Sequence, residues 1–304
     1  MIHAVCLNAA LDVTYYVPEL TPGRSHRVER VTRRAGGKGI NVARVLTQLG
    51  DDVRVVGFAG GDTGQALVDE LATHAVEHLF VAVAGESRRT VTVVSSDHAT
   101  VFNEPGPNIT DSEWDQITAE LDSSIAADDV LVLSGSVPPG APVTAYAELV
   151  AIGNDRGAQT VLDAEGDVLR AALASRPALA KPNATETAAT FGWPHADPVA
   201  AAHALLAAGA RGAVVSCGAD GLVAVVDERP LRIRLRERIS GNPTGAGDAL
   251  TAGIARGLAR GAPWHEVLPD AVALAAAAVA IGHAGEVDQT VRDRIRAHID
   301  VEEI

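Results

Sequence analysis

Asn242-Pro243-Thr244-Gly245-Ala246-Gly247-Asp248-Ala249 places two glycines and an acid where a helix opens. Upstream, Leu231 to Arg236 alternates apolar and charged residues, as an exposed strand does. Downstream, Ala249 to Ala255 is small and apolar, suited to a buried helix. Gly245 and Gly247 let backbone N–H groups approach a ligand with no Cβ in the way. At a helix start those amides lack partners and the dipole is positive, which makes an anion site. A carboxylate beside an anion is misplaced unless it does chemistry. Taking the proton from a hydroxyl that attacks a phosphoryl group held on those amides is the chemistry that fits. The plain alternative is a turn whose acid merely favours the helix dipole.

A second glycine-rich stretch, Gly36-Gly37-Lys38-Gly39, precedes a helix predicted over Ile40 to Leu49. A Walker loop needs Ser or Thr after its lysine, and Gly39 stands there instead. A dinucleotide fingerprint needs a third glycine, but Ile40-Asn41-Val42 follows. What remains is a loop that approaches a ligand closely, with one cation and Asn41 pointing from the first helical turn. Of 25 basic residues only Lys38 and Lys181 are lysine. They mark either places that require a compact ammonium or chance survivals at tolerant positions. His74 and His78 lie four apart on a predicted helix, with no third ligand in view, and read as surface residues.

The elements that position these residues follow an α/β pattern. Apolar runs at Ile2 to Leu7, Val53 to Phe58, Val130 to Leu133, Thr160 to Leu162, Ala178 to Ala180 and Val214 to Ser216 alternate with helical segments. Their C-terminal ends carry Asn8, Asp163, Lys181-Pro182-Asn183 and Cys217-Gly218, and α/β sheets bind ligands at such ends. Asp12 to Val17, His26 to Arg34, Thr90 to Val94 and Thr100 to Asn103 alternate polar and apolar residues and predict a separate small sheet. Thr110-Asp111-Ser112-Glu113 is a capping box, and the closing part reads as helical. The chain of 304 residues, 47% hydrophobic, can bury a full core. A net charge of −14 without a basic run argues against nucleic acid or an anionic membrane as partner. Ala271 to Ile281 is too short to span a bilayer, and no leader is visible, so a cytoplasmic location with Cys6 and Cys217 as free thiols is expected.

Asn8 to Asp12, Gly36 to Arg44, Glu104 to Pro107, Gly135 to Gly140, Lys181 to Glu186, Ser216 to Gly221 and Asn242 to Asp248 occur in this order. Together they resemble the ribokinase-type (PfkB) carbohydrate kinases over essentially the whole chain, and most closely the branch of 1-phosphofructokinase and tagatose-6-phosphate kinase. The resemblance implies a ribokinase-like three-layer α/β/α core with a mostly parallel sheet. It also implies one kinase domain over 1–304, with a β lid from two excursions at about 12–35 and 86–104. The implied activity is ATP-dependent, Mg2+-assisted phosphorylation of a ketohexose phosphate. In that role Asp248 is the base and Gly245, Ala246 and Gly247 form the anion hole. Asp12, Gly36, Gly37, Asn41 and Ser136 contact the sugar, and Lys38 with Arg88 clamps its phosphate. Arg24 and Arg27 are further cation candidates. Lys181, Asn183, Ser216, Gly218, Gly221, Ala275 and His283 attend ATP. Asn183 and Glu186 order magnesium through water; without the resemblance, their spacing reads as a helix cap. Thr90 departs from the branch's asparagine and bears on the sugar contacts. A homodimer formed through the lid is implied as well. The rivals are a kinase of an unphosphorylated sugar or nucleoside, a non-catalytic sugar-phosphate sensor, and a nicotinamide oxidoreductase, which lacks its fingerprint.

Overall fold

The computed structural model describes residues 1–96, 98–195 and 197–304; Asp97, inside the second predicted excursion, lies outside the described residues. The chain opens with β1 (Ile2–Cys6), β2 (Ala10–Tyr16), β3 (Arg30–Gly36), helix α1 (Lys38–Gln48), β4 (Val53–Ala59), α2 (Gly61–Thr73) and β5 (Glu77–Ala82). It continues through β6 (Arg88–Val94), β7 (Ala99–Asn103), α3 (Asp111–Ser124), β8 (Val130–Ser134), α4 (Ala145–Arg156), β9 (Gln159–Asp163), α5 (Gly166–Leu173) and β10 (Leu179–Ala180). Then come α6 (Ala184–Phe191), α7 (Pro198–Ala207), β11 (Ala213–Ser216), β12 (Leu222–Val226), β13 (Arg229–Leu235), α8 (Ala246–Ala259), α9 (Trp264–Val279), α10 (Gln289–Arg296) and β14 (Ile299–Glu303).

Side-chain alternation within single strands builds the layers. In β1, Ile2, Ala4 and Cys6 enter one apolar cluster and Val5 the opposite one. In β8, Val130 and Val132 part from Leu131 and Leu133 in the same way. The first cluster is covered by Leu46, Leu67, Ile254 and Leu274 of α1, α2, α8 and α9. The second is covered by Trp114, Tyr146, Leu169 and Leu205 of α3, α4, α5 and α7. A large sheet in the order β14-β13-β12-β11-β10-β9-β8-β1-β4-β5 therefore has helices on both faces, the three-layer arrangement that was expected. It is parallel from β5 to β11 and antiparallel from β12 to β14.

The small sheet, β3-β2-β6-β7, uses two stretches of chain, and its register puts Asp12 between Arg34 and Thr90. Its β7 edge leaves Val101 and Phe102 exposed. Among the described residues no helix is long and apolar enough to cross a membrane.

Three expectations are corrected here. Helix α2 stops at Thr73, Ala75 turns at φ 54°, and His78 lies on β5, so the two histidines do not share a helix. The chain does not close on helix alone. β14 pairs with β13, held by Arg229–Glu303 and Arg236–Asp300 ion pairs. The alanine-rich run from Ala271, expected as a core helix of its own, is the later part of α9, which begins at Trp264 and ends at Val279. The Thr110–Glu113 capping box is present, with both reciprocal bonds formed.

Candidate active site

Gly245 adopts φ 86° as the N-cap of α8, a left-handed conformation that favours glycine, and this places Asp248 in the first turn. Asp248 is 7% exposed, and its Oδ2 accepts from Asn41 Nδ2 at 2.8 Å. Burial and the nearby Asp163 charge push its carboxyl up to about 7, against the opposing pull of Asn41, Lys38 and Lys181. Its proton is therefore balanced near neutrality, as a general base requires. The predicted anion hole has two open donors rather than three. The Ala246 amide donates to the Pro243 carbonyl at 3.1 Å, while among the described residues the Gly245 and Gly247 amides meet no acceptor.

Behind Asp248 lies a charge hub built on Asp163, the one member that sequence reasoning left without a role. Asp163 ends β9, 2% exposed, with Lys181 Nζ 3.3 Å from Oδ2 and Lys38 Nζ 3.5 Å from Oδ1. Ser134 and Thr251 hydroxyls also donate to Oδ2, at 3.4 and 3.3 Å. Burial alone would raise the Asp163 carboxyl, but the two lysines hold it below the ordinary range. Burial likewise works against the Lys38 charge, yet Asp163, Glu186 and Asp248 push its ammonium up to about 12. The sole sequence signal for Asp163 is its place at the C-terminal end of a buried strand.

The residues predicted to contact the sugar gather at the small sheet. Asp12 on β2 is pushed up to about 6 by burial, opposed by a Thr90 hydrogen bond and the Arg88 and Arg34 charges. A Cβ on Gly36 would fall inside the Asp12 carboxylate, and one on Gly37, at φ +110°, would lie 2.7 Å from Cys6 Sγ. Both glycines are thus demanded by packing as well as by access. Arg88 Nε donates to the Asn8 carbonyl at 2.9 Å and Nη1 to Thr90 Oγ1 at 3.3 Å, while Asn8 Nδ2 donates to Ser136 Oγ at 3.1 Å. The Lys38 ammonium and the Arg88 guanidinium have different partners in the structure. Lys38 turns to Asp163 and, 3.9 Å away, Glu186. Arg24 and Arg27 are exposed between β2 and β3.

On the other side of α8 opens a cleft of about 860 Å3, within the range of small-molecule sites. It brings together Asn183, Ser216, Gly218, Gly221, Ala246, Gly247 and Ala275. Asn183 and Glu186 complete a capping box on α6, and Glu186 keeps Oε1 facing Lys38. The cap and the site position coexist. His283 is not in the cleft. Its Nε2 lies 3.0 Å from Glu286 Oε1, on the side of the small sheet, where Glu286 accepts from Arg34 of β3. Among the described residues no three His, Cys, Asp or Glu side chains converge as a ready metal cage.

A model of the pfkB family carbohydrate kinases matches residues 1–290. Tagatose-6-phosphate kinase of Staphylococcus epidermidis is 29% identical, over the full length of both chains. Phosphofructokinase-2 of Escherichia coli, solved with fructose-6-phosphate, superposes with a TM-score of 0.89 at 28% identity, covering 97% of this chain and 98% of that one. It has also been solved as a tetrameric inhibited form. A ribokinase from Arabidopsis thaliana, 21% identical, shares the fold with a TM-score of 0.77, covering 97% of this chain and 98% of that one.

Proposed function

The chain belongs to the pfkB family of carbohydrate kinases, and from that premise we propose that it transfers the γ-phosphoryl group of ATP to a hydroxyl of a phosphorylated ketohexose. Fructose 1-phosphate, fructose 6-phosphate and tagatose 6-phosphate are the acceptors of that class. The observation that carries the reading is Asp248. It is a buried carboxyl balanced near pH 7, oriented by Asn41, between the glycine amides of α8 and the Asp12 side of the small sheet.

Asn41 holds Oδ2 of Asp248, leaving Oδ1 to accept the proton of the attacking hydroxyl. Asp12 grips the sugar hydroxyls, and Arg88 with Ser136 binds the phosphate already on the sugar. A guanidinium fork suits a phosphate dianion. Lys38, reaching toward Asp163 and Glu186, adds its point charge between acceptor and nucleotide. The cleft would hold ATP, with the Gly245 and Gly247 amides available to its phosphates and Ala275 to its base. The oxygen donors of Asp163, Asn183 and Glu186 fit magnesium, which binds through few carboxylates and keeps waters and phosphate oxygens as its other ligands. When bound, magnesium neutralises charge on the transferring phosphoryl group.

ADP release from Mg-ATP, measured across the three sugar phosphates and free fructose and ribose, tests the reading. Turnover is expected with sugar phosphates only, and kcat/KM ranks them. Arg88→Ala should raise the KM for the preferred sugar phosphate at least about tenfold, the loss of a charge-assisted bidentate contact, with the ATP KM unmoved. Turnover confined to free sugars would remove Arg88 from the role given to it.

The exposed Val101 and Phe102 on the β7 edge, 52% and 57% accessible, support a homodimer that pairs the small sheets. Light scattering should then report twice the 31.3 kDa chain mass. Phe102→Lys should return it to one chain, and a monomeric wild-type mass would end the idea.

A further inference from the structure

Between α9 and α10 the chain passes through residues 280–287, a strap that the proposed chemistry does not use. It touches three parts of the site. At the anion turn, Asn242 Nδ2 donates to the Gly282 carbonyl at 3.2 Å, and a Cβ on Gly245 would stand 2.6 Å from Ala284 Cβ. At α1, Gly285 abuts Arg44 and Asn41, the residue that orients Asp248. Gln48 then closes the strap with a reciprocal pair to Val287, at 2.8 and 3.0 Å. At the small sheet, Arg34 Nη2 donates to Glu286 Oε1 at 2.8 Å, and His283 Nε2 lies 3.0 Å from the same oxygen. Arg34 is the β3 residue paired directly with Asp12.

We propose that Glu286 is a positioning residue for phosphoryl transfer. By holding Arg34 it ties β3, and with it Asp12, to the strap that backs Gly245 and Asn41. The acceptor grip and the anion turn then keep a common register while the lid closes. The proposal rests on the function proposed above. Burial disfavours the Glu286 charge, but His283 and Arg34 hold its carboxyl below the usual range, so it stays anionic at neutral pH. The pair is too exposed to carry much stability, with Glu286 side chain 45% accessible. Its effect belongs in rate, where a small misplacement of reacting groups is felt strongly.

Glu286→Ala, Arg34→Ala and the double variant, made in the full chain, test this. Glu286→Ala should lower kcat about three- to tenfold with the ATP KM and the melting temperature unmoved. The double variant should be no slower than the slower single one. An unchanged kcat, or losses that simply multiply, would overturn the tie. Hydrogen exchange supplies an arm that needs no turnover. Amides of residues 30–36 and 242–247 should exchange faster in Glu286→Ala, while those of β1 and β4 do not change. Unchanged exchange in both segments overturns the strap's role. Faster exchange in both, with a wild-type chain silent on every sugar tried, would instead retire the proposed function and keep the tie.

Discussion

Asp248→Asn is expected to lower kcat by about 10²–10⁴-fold, the ordinary worth of a general base, while ATP binding is largely kept. The amide oxygen can still accept from Asn41, so the site's shape survives and only the proton acceptor is lost. The wild-type pH profile carries a second mark of the same group. The base proposed for the reaction is the ionised carboxyl, so kcat/KM should rise with pH through about 7, the value to which burial and Asp163 push Asp248. Stability runs the other way. The unfolded carboxyl titrates near 3.8 and the folded one near 7, so between those values the folded state binds the extra proton. The contribution is fully present below about 3.8 and is lost as pH rises through about 7. Asp248→Asn should therefore flatten both the activity limb and this part of the stability curve. A variant with comparable turnover would remove Asp248 as the base.

Lys181→Met is expected to cost about 3–5 kcal/mol of stability, because it leaves Asp163 charged and buried with only the half-exposed Lys38 to offset it. Denaturant titration reads the loss as a lower midpoint at constant slope. Adding Asp163→Leu to Lys181→Met should recover most of it, since the stranded charge goes with its partner. If the double variant is as unstable as the single one, the loss came from packing rather than charge. Activity in the recovered double variant should stay low, because Asp163 also sets the charge around Asp248 and Lys38.

Much of this site is readable along the chain. The glycines and acid of residues 242–248 are a local turn and helix start, and the structure builds them as such, with Gly245 as the N-cap. Lys38 and Lys181 stand out in an arginine-rich chain, and both meet one carboxylate. The small sheet follows from its alternation. What was missed is non-local. β14, Ile-Asp-Val-Glu-Glu, has little strand character of its own and is held by cross-strand arginines. β5 follows a turn that ends α2 at a residue with no breaker type, Ala75. His283 has the right neighbourhood in sequence, yet its ring faces Glu286 and the small sheet rather than the cleft beside α8.

Residue type and short spacing dictate the donors, the glycine turns and the buried periodicity, because those depend on atoms a few bonds apart. Which charge meets which is decided by the fold. Asn41 reaches Asp248 across 207 positions, Lys38 reaches Asp163 across 125, and Arg34 reaches Glu286 across 252. Coulomb and desolvation effects turn on ångströms and on burial, and strand order and helix packing set both. Asp163 shows the difference most clearly. Along the chain it is the last residue of a strand, and only the meeting of β9, the glycine loop and the end of β10 makes it the centre of the site's charge.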